Sequence, residues 1–460
     1  MAVKISDKLK KAYLRQHRDY GRLAGIVGPI AFQNLMNSLV IASDAVMNGF
    51  LGEESLSAVS LAGQVAFFHA MIVMAFVLGF NVLGAQYWGK KDEENVIRVM
   101  TVTMRYQLVI GLLFSVMTFA SPAAVMRIFT ADEEIIMIGA GYLRMVSVSY
   151  FVTAISQTLF GVLKVCDHAR ASSVIGSLSV ILNIALNAVL IFGIGSIQGI
   201  GTKGAAAATV IARVFEAVLA MTVIVKNKCP HTGIKKLLGN VAPGIGKAYR
   251  THMIPILIHN LGWGGGVTMY SVIMGHLGKD AVSSYTISVI VRTIIASLCW
   301  GVAAGSGIVI GGLLGSGELD EAKELGGKYL KLSIWVGIAS GILILCLTPF
   351  VLRTAVLSEA AAGYLKVMLL IAAYHVIGNS FNSMIMTGIL PAGGDTKFGM
   401  YCDLITVWCL VIPLSAIFAF ILKAPVPVVA FILTLDEFAK MPAVIRQYRK
   451  YRWIRNLTNE

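Results

Sequence analysis

The sequence predicts an all-α integral membrane protein, with twelve transmembrane helices in two six-helix lobes related by a pseudo-two-fold axis along the membrane normal. Three observations carry this. The 460 residues are 57% hydrophobic and only 13% charged, with a mean hydropathy of +0.77. The apolar residues fall into runs long enough for the roughly 20 residues that cross about 30 Å of hydrocarbon, and such runs are helices because lipid cannot satisfy a backbone polar group. The second half also repeats the first. The stretch GPIAFQNLMNSLVIASDAVMNGFLG from Gly28 returns as PILIHNLGWGGGVTMYSVIMGHLG from Pro255. Pro29 pairs with Pro255, Asn34 with Asn260, Val46 with Val272 and Gly52 with Gly278, all at one offset (255 − 29 = 226), and the register continues through Gly79/Gly305 and Gly89/Gly315. Farther on, Gly161/Gly388, Arg170/Lys397 and Arg213/Lys440 match at 227 (440 − 213 = 227), which places a single-residue insertion between spans 2 and 4. Six spans per copy is an even number, so both copies have the same orientation, the parallel-repeat arrangement.

In chain order, residues 1–22 form a basic arm. Val3, Ile5, Leu9 and Tyr13 stand near helical spacing among its lysines and arginines, as in a short helix on the membrane surface or a solvated arm. The first lobe, 23–225, holds spans at 23–50, 56–84, 99–120, 140–163, 172–193 and 204–225. Its punctuation is an acidic turn at Glu53 and Glu54, a basic turn over Trp88–Arg98, Pro122 with Asp132 to Glu134, a second basic turn over Leu163–Arg170, and a glycine-rich loop over Gly193–Gly204. A basic linker, 226–250, carries Lys228, Lys235, Lys236 and Lys247. The second lobe, 251–447, holds spans at 252–276, 282–312, 328–348, 362–390, 398–422 and 426–447, and 448–460 is a basic tail.

Lys and Arg crowd into the arm, alternate loops and the tail, which predicts cytoplasmic termini in a bacterial-type inner membrane. That placement accounts for the net charge of +14 without a nucleic-acid partner. The six cysteines form no CxxC pair, so neither a disulfide framework nor a zinc site is expected. No cleavable signal pattern precedes the first span. The expected partners are membrane lipid and a small organic molecule, on a monomeric chain without cofactor.

Polar residues inside spans mark the candidate sites. Asp44 lies about seven residues from the outer end of span 1, Asn187 about six from that of span 5 and Thr209 about six inside span 6, each about 10 Å deep. Asn183 is one turn deeper on the face of Asn187. A carboxylate, two amides and a hydroxyl at one level offer oxygen ligands for Na+ or a cage for a protonatable acid. Candidate cavity residues are His69 in span 2, Asn260, Trp263 and Tyr270 in span 7, Arg292 in span 8, and His375, Asn379 and Asn382, which form a polar stripe along span 10. Such a stripe belongs in a cavity or a helix contact, not against lipid. The aromatics Trp263 and Tyr270 suit flat cations. Charges at Arg213, Glu216, Asp436, Glu437 and Lys440 lie well inside the membrane and call for pairing. Glu216 is one turn from Arg213, and Glu437 is one turn from Lys440, with Arg292 at the level of Asp436 and Glu437.

These residues together resemble the multidrug and toxic compound extrusion (MATE) family of secondary transporters over roughly 20–447. The motifs are Asp44 with Gly49, Leu51 and Gly52; Gln86 with Gly89; Leu163 and Lys164 with Ala169 and Arg170; Leu390 to Lys397; Asn183 with Asn187; and Gly204 to Thr209. The resemblance implies an antiporter that exports organic compounds against inward H+ or Na+, with Asp44, Asn183, Asn187 and Thr209 lining the first-lobe cavity. The chain departs from the family at Asp167 and His168, where Gly-Asp is usual, and in span 7, where it lacks the glutamate of several relatives. A lipid or lipid-linked saccharide flippase of the same broad superfamily is the alternative, with Arg292 as its main support. No paired-carboxylate, metal or nucleophile constellation points to a membrane enzyme.

Overall fold

Side-chain caps start several of the helices. Asp92 accepts the Asn95 N–H at 3.1 Å, Asp132 accepts those of Glu134 and Ile135, and Ser358 accepts that of Ala361 at 3.1 Å, each filling a donor that the helix itself leaves open. The computed structural model describes residues 25, 27–37, 40, 43, 44, 47–194, 197–233, 237, 239, 243–355 and 357–459. The expectations for the 3–20 surface helix and for Val46, Lys235 and Lys236 lie outside these residues.

The helical residues between 25 and 49 form α1. It is followed by α2 (Glu53–Gly89), α3 (Glu93–Ala120), the short α4 (Pro122–Arg127), α5 (Glu133–Val165), α6 (Ala169–Phe192) and α7 (Thr202–Lys226). The second lobe holds α8 (Pro243–Gly275), α9 (Lys279–Ser316), α10 (Leu319–Thr354), α11 (Glu359–Ala392), α12 (Lys397–Ile421), α13 (Val426–Leu433) and α14 (Asp436–Arg449). In the first lobe α5 packs on α2, α3 and α7, and α6 on α7; in the second, α11 packs on α9 and α10, and α12 on α8. This is the all-α, twelve-helix, two-lobed membrane architecture.

Among the described residues, nine of these helices are long and apolar enough to cross a membrane. Three features depart from the expected spans. The twelfth is not one helix, because α13 stops at Leu433 and α14 begins at Asp436, with Thr434 and Leu435 held by tight bonds to Phe431 and Ile432. The glycine-rich loop pairs Gly193 with Gln198 and Ile194 with Ile197 as a small hairpin. The helices also overrun their apolar stretches. At about 1.5 Å per residue the 37 residues of α2 and the 38 of α9 far exceed the hydrocarbon thickness.

The repeat is visible as reciprocal contacts. A Cβ on Gly89 would collide with the Gly312 carbonyl, and one on Gly315 with that of Gln86. Gly312 is the repeat partner of Gln86 (86 + 226 = 312) and Gly315 that of Gly89 (89 + 226 = 315). Likewise a Cβ on Gly79 would stand 2.9 Å from Met253, and one on Gly305 2.9 Å from Val27, again partners (27 + 226 = 253). Position i meeting j while j meets i is what a two-fold relation produces. The absent side chains let the backbones cross closely, as small residues do between membrane helices. These crossings join the two lobes on one side, where Arg105 also holds the linker through the Leu237 carbonyl at 2.7 Å and that of Gly239. We call this the linker side. Cysteines introduced at exposed Lys228 and exposed Gln198 should label from opposite faces of sealed vesicles, the first from the cytoplasmic face. Labelling of both from one face would overturn the twelve-span, termini-inside topology.

Candidate functional site

In the first lobe, α6 presents Asn183 and Asn187 one turn apart, toward α1 and α7. Asn187 Nδ2 donates to Asp44 Oδ1 at 2.6 Å and stands 3.3 Å from Asn183 Oδ1, while Asn183 Nδ2 stands 3.5 Å from Thr209 Oγ1. Asn48 secures the backbone here by donating to the Asp44 carbonyl at 2.7 Å. Asn187 is fully buried, and its Oδ1 has no partner among the described residues. The four residues expected at one depth thus meet. A carboxylate, a spare amide oxygen and a hydroxyl around two buried amides are the donor set for a hard monovalent cation or a proton.

Across the same lobe, Arg213 Nη1 pairs with Glu216 Oε2 at 2.8 Å as expected. Ser156 and Gln157 on α5 complete the shell of Glu216 Oε1 at 2.7 and 3.3 Å.

The second lobe holds a larger charge cluster. Lys440 Nζ lies 3.1 Å from Glu437 Oε1, the pairing along the helix that the spacing predicts, and 3.0 Å from Asp403 Oδ1. The span 10 stripe goes to this helix contact. Asn379 donates to Glu437 Oε1 at 3.1 Å, Asn382 to its Oε2 at 2.7 Å, and His375 Nε2 stands 3.5 Å from Asp436 Oδ1. Arg292 lies within ion-pair distance of neither Asp436 nor Glu437; His375 stands at Asp436 instead. Ligand atoms of His375, Asp436 and Glu437 lie within 4.8 Å of one another, so these three are a second group able to hold a cation. The break before α14 explains the placement, since Asp436 and Glu437 occupy the first turn of a new helix, where carboxylates are favoured.

The repeat relates the two clusters. Tyr270 stands at the position of Asp44 (44 + 226 = 270) and Asp436 at that of Thr209 (209 + 227 = 436). The carboxylate has moved from the first helix of the repeat to the last.

The eight residues expected around a cavity do not surround a single one. His69 is buried inside the first lobe, its ring centroid 5.0 Å from those of Phe114 and Tyr150. Tyr270 is buried in an apolar cluster with Tyr285 and Met274. Trp263 packs edge-on against Trp300 at 6.0 Å. Asn260 alone among them lines the cavity between the lobes, beside Asn81, His259, Met386, Thr387 and Thr396, and its amide reaches across to the Met71 carbonyl at 3.2 Å. Two residues were not expected: Asp403, which shares Lys440, and His259, whose Nδ1 lies 3.4 Å from Asp403 Oδ2. Asp403 sits five residues into a predicted span, and the cost of a charge inside the membrane is the signal that marks it.

Comparison with known proteins follows the same two-part pattern. The MatE family model matches residues 29–189 and 255–417, one stretch per lobe. The chain is 22% identical over 433 residues to "Uncharacterized transporter YisQ" of Bacillus subtilis (strain 168), covering 94% of each. It is 26% identical over 391 residues to "Probable multidrug resistance protein NorM" of Rhizobium meliloti (strain 1021), covering 83% of this chain and 82% of that protein. Among solved structures, that of MATE in complex with MaL6 superposes with a TM-score of 0.85 at 18% identity, covering 94% of this chain and 96% of the other.

Proposed function

The chain belongs to the MatE family of multi-pass membrane transporters, and on that footing we propose that it is a secondary active efflux antiporter. It exports organic, cationic, drug-like compounds in exchange for inward H+ or Na+, from a bacterial cell membrane with both termini in the cytoplasm. The lobes 23–225 and 251–447, joined by the 226–250 linker, rock about their contact. The multidrug-resistance name of the Rhizobium meliloti relative supports the drug-export part of this reading.

The observation that carries the coupling is the Asp44 carboxylate held at 2.6 Å by a buried Asn187. An empty, ionised carboxylate within the bilayer is costly, and a bound proton or Na+ neutralises it. The loaded and empty sites therefore favour different arrangements of the lobe, which is what an exchanger requires. Lobe contacts on the linker side support a chamber that opens toward the other face. The test is transport of a fluorescent organic cation in proteoliposomes under separately imposed pH and Na+ gradients. Accumulation driven by either gradient is expected, and failure of both to move any organic cation would end the antiport reading.

A further inference from the structure

The sequence marks the segment after Arg449 only as basic, yet it is folded into the junction of the two lobes. The chain reverses at Tyr451, which takes a left-handed φ of 53°, an uncommon backbone for a bulky residue. Lys323 covers the Tyr451 ring from 4.3 Å. The reversal drives Trp453 into the second lobe, where it is fully buried, stacks on Tyr448 at 5.9 Å and donates to the Tyr448 carbonyl at 3.3 Å. Gly326 and Gly393 leave room for it, since a Cβ on either would meet Trp453. Asn456 then donates to the Gly315 carbonyl at 3.1 Å, beside the crossing of α2 and α9.

From this anchor the segment reaches the first lobe. Leu457 N donates to Gln86 Oε1 at 2.6 Å, and Gln86 Nε2 donates to the Arg455 carbonyl at 3.2 Å and to the Ala392 carbonyl at 2.7 Å. Lys90 Nζ stands 3.2 Å from Asn459 Oδ1 and 3.5 Å from the Thr458 carbonyl. Gln86 is fully buried, so every hydrogen bond of its amide to the segment or to Ala392 crosses the boundary that must open if the lobes part here. Parting leaves a buried amide without partners, which is costly, and uncovers Leu457.

We propose that residues 450–459 are an interlobe latch, anchored in the second lobe by Trp453 and clipped to the first by Gln86 and Lys90, that holds the linker side closed. A segment that merely completed the second-lobe core would need no bonds to α2. The latch rests on the rocking of the lobes proposed above, and it adds that the balance between the two arrangements is set by this segment.

The test uses the full chain in lipid nanodiscs, with exposed Cys346 and Cys409 changed to serine and spin labels on cysteines at Arg170 and Lys397, one per lobe on the linker side. Gln86→Leu removes the clip and keeps the bulk. Truncation after Trp453 removes the clip and keeps the anchor. Each should raise the ratio of long to short inter-label distances about tenfold over the unmodified chain. Wild type with one short distance and variants with two supports a latch that is fully engaged at rest. Two distances in wild type at a ratio that neither folded variant changes overturns the latch alone. One distance in every protein at every pH and Na+ concentration overturns the rocking and the latch together.

Discussion

Asp44→Asn is expected to abolish gradient-driven export while leaving expression and helix content near wild type. The substitution keeps the shape of the side chain and an oxygen for Asn187 Nδ2, now 2.6 Å from Asp44 Oδ1. The Asn48 bond goes to the backbone carbonyl of Asp44 and is untouched. What is lost is the charge. Removing one partner from a buried charged contact costs about 2–5 kcal/mol, and about 3 kcal/mol is roughly a hundredfold in affinity. Coupling-ion binding should weaken by at least that much, and transport should fall to the leak. Thr209→Ala is expected to do far less, because the Asn183–Thr209 contact is long at 3.5 Å and the hydroxyl also donates to the Ala205 carbonyl. The readout is uptake of an organic cation with the gradient imposed and then collapsed. An Asp44→Asn protein that still concentrates the cation when the gradient is imposed assigns Asp44 to structure and moves the coupling site elsewhere.

The fold was legible because lipid removes alternatives. Hydropathy fixes where helices run and the constant offset fixes the repeat, through glycines at 79/305 and 89/315 whose part in the lobe crossing only the contacts reveal. The first-lobe site was legible because its residues share a depth, and depth follows from counting along a helix. The azimuth of a side chain about its own helix does not follow from depth. His69 and Asn260 both suit a cavity by depth, yet Asn260 lines the cavity between the lobes and His69 is buried inside the first lobe. Pairing between helices was equally hidden: Arg292 matched Asp436 in depth, but His375 stands at that carboxylate. The break at Thr434 and Leu435 left no glycine or proline at those two positions to announce it. The tail was opaque for another reason, since Trp453 and Leu457 lie among lysines and arginines in a segment with no apolar period.

Lys440→Met should cost far more folding yield than Glu437→Gln. Glycerol-free denaturation in detergent and yield of monodisperse protein would measure it. The spacing of Glu437 and Lys440 alone suggests that neutralising Glu437 strands a buried cation. The structure changes that expectation, because Lys440 keeps Asp403 at 3.0 Å when Glu437 is neutral. Glutamine also leaves an oxygen for the Asn379 or Asn382 amide, which now donate at 3.1 and 2.7 Å. Removing Lys440 is different. Asp403 and Glu437, both on the same ammonium and both almost fully buried, would face each other with no cation between them. Breaking a buried pair in this way costs about 3–5 kcal/mol, a large part of the stability of most folded domains. Adding Asp403→Asn to Lys440→Met removes one of the stranded charges and should restore much of the yield, since contacting residues couple in a double-mutant cycle. Rescue of yield in the double variant, with coupling intact in Glu437→Gln, marks the cluster as a structural device. Normal yield with lost coupling in Glu437→Gln, measured beside Asp44→Asn, would instead put an ion site in the second lobe, where His375, Asp436 and Glu437 stand within 4.8 Å of one another.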